Sequence, residues 1–184
     1  MSLMYPEDRM PPHNLEAEQA VLGSVLLDSE SLFTVSEILH PEDFYERAHR
    51  LIYEAVLLLS ESGSAIDLVT VTEELRRQDK LDLVGGPAYI GSIAGAVPSS
   101  ANAAYYANIV AQKSTLRALI SASGEIAAKC FDEEDNVENL LDEAEQKIFG
   151  IAQRRSREGF TPIKPILEDC LLYTSPSPRD MRRS

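Results

Sequence analysis

Two long proline-free stretches carrying an apolar repeat near every third or fourth position dominate this sequence. Residues 102–130 contain no proline and a single glycine, Gly124. Within them Ile109, Leu116, Leu119, Ile120 and Ile126 recur at heptad-like intervals. A second run, Val137, Leu141, Ala144, Ile148 and Ile151, steps by four and three residues in turn. That is coiled-coil spacing, so each run predicts a long helix with an apolar stripe. The acidic stretch from Asp132 to Asp135 separates them, and Asp135 followed by Glu138 predicts a capped helix start. The two arms should therefore fold back as an antiparallel helical hairpin. Each arm exceeds roughly 18 residues and so roughly 27 Å. The short helices upstream can cover only part of that length. With the arms packed on each other, Tyr105, Tyr106, Phe131 and Phe149 still need partners. Apolar surface left over in this way usually marks an interface, so self-association through the hairpin is expected.

The first hundred residues read as several shorter helices. Asn14 is a good N-cap for a helix with Leu15, Gln19, Leu22 and Leu26 on one stripe. Glu16 and Glu18 sit in its first turn, where the helix dipole favours negative charge. A short helix is predicted over 31–39, stopping before Pro41, and another over 44–59, with Leu51, Ile52, Ala55, Leu58 and Leu59 apolar and Gly63 beyond its end. Thr70 and Glu73 match a T-x-x-E capping box opening a helix to about Gln78. Residues 65–69 carry a weak strand pattern. Gly85 and Gly86 break the chain, and Pro87 opens a short helix with Tyr89, Ile90 and Ile93.

The expected class is therefore all-α: a small orthogonal helical bundle followed by a long antiparallel hairpin. The expected organisation is an N-terminal extension (1–13), a globular subdomain (14–100), the hairpin (101–155), then a linker and the start of a further helix (156–170). The last residues, 171–184, hold Ser-Pro-Ser-Pro and three arginines, an abrupt shift that reads as a non-native tail.

Composition narrows the function. Thirty acidic against seventeen basic residues give a net charge of −13. Affinity for nucleic acid rests chiefly on Lys and Arg neutralising phosphates, so this chain is a poor DNA-binding surface by itself. The basic clusters Arg76, Arg77, Lys80 and Arg154, Arg155, Arg157 read as solvated helix ends. Cys130 and Cys170 form no CxxC pair, which fits a reducing cytoplasm. No apolar run is long enough for a membrane span, and residues 1–14 lack a signal-peptide core.

No motif carries catalytic chemistry. Gly85-Gly86 is followed by no G-K-[ST], so a phosphate loop is absent, and no nucleophile–base pattern is visible. Glu37-Ile-Leu-His40 and Glu46-Arg-Ala-His49 are both E-x-x-H. Di-iron bundles place such motifs on separate long helices with two further glutamates, which are not evident here. Both histidines are expected at the surface or half-buried. Asp132, Glu134, Asn136 and Glu143 fall at calcium-loop positions, but Val137 stands where the loop requires glycine.

Several segments, in order, resemble bacterial replicative DNA helicases of the DnaB type: PPHNLEAEQAVLGSVLLD (11–28), DFYERAH (43–49), LVGGPAY (83–89), VPSSAN (97–102) and TPIKPIL (161–167). The resemblance covers about residues 11–169 and identifies the chain as the N-terminal collar of such a helicase. It implies pairing through the hairpin, with Ile109, Leu116, Leu119, Leu141 and Ile148 as self-association positions, and a trimer of dimers within a hexamer. It implies docking of the primase C-terminal domain and influence from a helicase loader. The primase-responsive positions carried over are Glu16, Tyr89, Arg117, Ile120 and Ile126. Ile163, Ile166 and Leu167 would start the linker helix. ATP and magnesium would serve a motor domain that also handles DNA and is not in this chain, so no cofactor is expected here. Two other readings stay open: a di-metal helical enzyme on the E-x-x-H pair, and a stand-alone helical adaptor.

Overall fold

A computed structural model describes residues 9–132 and 136–158 of the chain. Among these residues there are seven α-helices, two short 3-10 turns and no strand. The helices are α1 (Leu15–Leu27), α2 (Ser31–Ile38), α3 (Arg47–Glu61), α4 (Leu68–Arg77), α5 (Gly86–Ala94), α6 (Ala103–Asp132) and α7 (Val137–Glu158). The all-α bundle followed by a hairpin is thus what forms. No described helix is long and apolar enough to cross a membrane.

Helix α1 starts where the side chain of Asn14 accepts from the backbone N–H of Ala17 at 2.9 Å. It does not present a single stripe. Residues 17–26 are buried except for Gln19, because α2, α3, α5 and α6 all pack around α1. Gly23 permits a close approach by α5. A Cβ there would stand 2.5 Å from the carbonyl oxygen of Ile93 on α5. The core around α1 is completed by Phe44, Ile52, Tyr53, Leu75, Ile90 and Val110. The Tyr53 hydroxyl donates to the Leu39 carbonyl at 3.2 Å, and burial pushes its phenol above the ordinary value.

Three local expectations change. Helix α3 begins at Arg47 rather than residue 44, after a 3-10 turn (Pro41–Asp43) and an extended stretch. Helix α4 begins at Leu68, and its capping box is Asp67 with Thr70, not Thr70 with Glu73. Asp67 accepts from the N–H groups of Val69 and Thr70, a stronger stop than the weak alternation that suggested a strand at 65–69. The hairpin turn (133–135), the linker positions Ile163, Ile166 and Leu167, and the tail (171–184) lie outside the described residues.

Leu22 is 1% exposed at the centre of this packing. We predict that Leu22→Ala costs about 2–5 kcal/mol of unfolding free energy, read from urea denaturation. A loss below about 1 kcal/mol would mean that α1 is not the central helix.

Candidate interaction surface on the helical hairpin

The first half of α6 belongs to the globular core through Ala103, Ala107, Val110 and Ala111. Beyond that point its main neighbour is α7. The residues that line the α6–α7 seam mix small, charged and large aliphatic side chains. Ala111, Thr115 and Ala118 oppose Gly150, Ile151 and Arg154, and further out Ile126 and Lys129 oppose Leu140, Glu143, Ala144 and Lys147. Lys129 donates to both carboxylate oxygens of Glu143 at 2.6 Å, and Lys147 pairs with Glu125 and, at 3.7 Å, with Glu143.

This corrects the heptad reading in part. Ala144 and Ile151 do line the seam, but Leu116, Ile120, Val137, Leu141 and Ile148 are 45, 58, 68, 65 and 42% exposed. Helical geometry places them together. At about 100° per residue, Leu116 and Ile120 lie on the side of α6 away from its core-facing Ala107 and Val110. Val137, Leu141 and Ile148 lie on the flank of α7 that turns the same way in an antiparallel pair. The hairpin thus carries one apolar face, directed away from the globular subdomain. Ile109 and Leu119 are half-buried at its edge. Tyr106 packs against the core, while Tyr105 and Phe149 are exposed.

The base of the hairpin is a polar network for which single residues gave little signal. Glu18 is 1% exposed and does more than offset a helix dipole. Its carboxylate accepts from the N–H of Tyr45 at 2.7 Å, from that of Glu46 at 3.3 Å and from His49 Nδ1 at 2.6 Å. A carboxylate from α1 therefore fixes the backbone just before α3. With Nδ1 of His49 donating to Glu18, Nε2 is left to accept from the Tyr89 hydroxyl at 2.8 Å. Gln19 in turn donates to that hydroxyl at 3.3 Å. His49 is fully buried, against the expectation of a surface or half-buried ring, whereas His40 is exposed. No group of three or more His, Cys, Asp or Glu among the described residues is placed to hold a metal ion.

The five carried-over positions divide. Glu16 and Ile120 are exposed. Tyr89 is half-buried, with its hydroxyl engaged as above. Arg117 donates to the carbonyls of Pro12 at 2.7 Å and Asp43 at 2.5 Å, and lies 5.6 Å above the Tyr45 ring. Ile126 sits in the seam. The structure does not bring these five into one patch of exposed side chains. Of the basic clusters, Arg76, Arg77 and Lys80 pair with Glu73, Glu74 and Glu54, and Arg154 pairs with Asp43.

The model of the family described as the DnaB-like helicase N-terminal domain matches residues 10–112, more than half of the chain. The chain belongs to that family. Over 160 residues it is 49% identical to the replicative DNA helicase DnaC of Bacillus subtilis (strain 168), covering 87% of this chain and 35% of that one. Over 167 residues it is 48% identical to the replicative DNA helicase DnaB of Geobacillus stearothermophilus, covering 91% and 37%. The chain therefore spans little more than a third of these relatives' length. A crystal structure of the N-terminal domain of DnaB helicase from Mycobacterium tuberculosis superposes with a TM-score of 0.73 at 40% identity, covering 77% of this chain and 99% of that one. A DnaB-like replicative helicase solved to show its interactions with primase superposes at 0.68 with 25% identity, covering 88% and 36%.

The ion pairs of this DnaB-type hairpin set its response to acid. Hydrogen bonds from Lys147 and Lys129 hold the Glu125 and Glu143 carboxyls below the usual range. A lowered folded-state value contributes stability above the unfolded glutamate value, about 4.3, and loses it as pH falls through the folded one. The thermal midpoint of the native chain should therefore exceed that of Lys129→Met/Lys147→Met near neutrality. The gap should close as pH drops below about 4; a gap unchanged by acid would show that the pairs contribute nothing.

Proposed function

We propose that this chain is the assembly and docking module of a hexameric replicative helicase, with no catalysis of its own. The observation that carries the reading is the apolar face of the hairpin. Five large aliphatic side chains on the side of the hairpin away from the globular subdomain are 42 to 68% exposed. Burying one such side chain is worth about 1.5–3 kcal/mol. A second copy of the same hairpin presents the same surface, and a self-complementary patch is what a two-fold dimer requires. Dimers of this kind would build a collar as a trimer of dimers, acting in the cytoplasm. ATP and magnesium would be used by the motor domain of the whole protein, which would also handle the DNA. The chain's net charge of −13 fits a collar that leaves DNA to that motor.

The collar would receive the C-terminal domain of primase and respond to a helicase loader. Glu16, exposed, is the position we assign to direct contact, and Ile120 would act through the face that a second copy covers. Tyr89, Arg117 and Ile126 would act by holding α5, the hairpin base and the seam in shape, since their functional groups face their own chain. Ile163, Ile166 and Leu167 would begin the linker helix that docks on a neighbouring motor.

The test compares Ile120→Asp and Ile126→Asp with the native chain by light scattering and by calorimetric titration of the primase C-terminal domain. Circular dichroism checks that each variant remains helical. We expect Ile120→Asp to weaken association and primase binding at least about tenfold, equivalent to about 1.4 kcal/mol. Ile126→Asp puts a carboxylate beside Glu143 in the seam, so it should also lower the thermal midpoint. Variants that both associate and bind like the native chain would discredit the hairpin as the interface.

A further inference from the structure

Helix α7 is fastened unevenly along its length. Its outer half is held by the Lys129–Glu143 and Lys147–Glu125 pairs. Its inner end lies over an open cleft of about 260 Å³ bounded by Asp43, Ala111, Ser114, Thr115, Ala118, Gly150, Ile151 and Arg154. Small side chains on both helices leave that space unfilled, so packing contributes little there. Among the described side chains, that of Arg154 reaches across to the globular subdomain. Arg154 Nη2 stands 3.0 Å from both carboxylate oxygens of Asp43.

Asp43 is built to receive it. Its side chain is 4% exposed and is fixed before Arg154 arrives: one oxygen accepts from Ser114 Oγ on α6 at 2.6 Å, the other from the N–H of His40 at 2.7 Å. The carbonyl of the same residue accepts from Arg117. A pre-oriented, buried carboxylate loses little freedom on pairing, which separates this contact from an ordinary surface ion pair. The Arg154 side chain is itself 46% exposed, so its release strands no buried positive charge.

We propose that Asp43 and Arg154 form a latch that holds the inner end of α7 against the globular subdomain. With the latch closed, the last turns of α7 are tied to the 3-10 turn before α3. With it open, only the inner end of α7 is freed, because the outer ion pairs still hold the hairpin together. Asp43 and Arg154 are thus positioning residues, acting on α7 rather than on a partner.

Hydrogen–deuterium exchange of the full chain, read by mass spectrometry, tests this. Arg154→Met removes the charge at a surface position and leaves the buried Asp43 contacts to Ser114 and His40. Peptides covering 150–158 should exchange about three- to tenfold faster, while peptides covering 137–146 keep the native rate. Arg154→Lys, which retains the cation, should recover at least half of the logarithmic change. Native rates over 150–158 in Arg154→Met would overturn the latch. Equal acceleration along the whole of α7 would overturn it too, since the residue would then support the helix in general.

Discussion

A helix of thirty residues, α6, is about 45 Å long at 1.5 Å per residue, and the globular subdomain covers only its first half. That mismatch governs the rest of the molecule. The inner half is built into the core through alanines and Val110, which let α1 and α2 come close. The outer half must find other partners, and α7 supplies one side. Ion pairs, small residues and the aliphatic Ile126, Leu140 and Ile151 make up that contact, while Leu116, Ile120, Val137, Leu141 and Ile148 stay exposed.

An exposed ion pair contributes about 0–1 kcal/mol, and the inner seam, where alanine, threonine and glycine border an open cleft, buries little apolar area. The hairpin therefore gains less from its own closure than from cover over its apolar face. Stability and assembly are in this sense one problem. A DnaB-type N-terminal domain that buried Leu116, Ile120, Leu141 and Ile148 against itself would have a firmer monomer and would lack the surface for the pairing proposed above.

Periodicity made the helices legible because each apolar repeat is a local property of the chain. Asn14, Pro87 and the acidic step between the long arms mark helix boundaries for the same reason. The direction of the stripes was not legible. Val137, Leu141 and Ile148 have seam spacing, and nothing local reveals that Leu140 and Lys147 face α6 instead. Which residues line the seam depends on both helices at once. The start of α4 was misplaced for a simpler reason: Thr70 and Glu73 match one box, while Asp67 with Thr70 makes another three residues earlier. At the hairpin base, Glu18 looked like a first-turn acid. Its actual work depends on residues 27 to 31 positions away, beyond the reach of any local pattern. Family resemblance pointed to Tyr89 and Arg117, and the structure adds that their polar groups are spent inside the chain.

Sedimentation equilibrium of the unaltered chain, run from micromolar to hundreds of micromolar, tests the central claim most directly. An uncovered apolar face shared by both arms predicts a reversible shift to dimers or larger assemblies as concentration rises. A strict monomer across that range would contradict it.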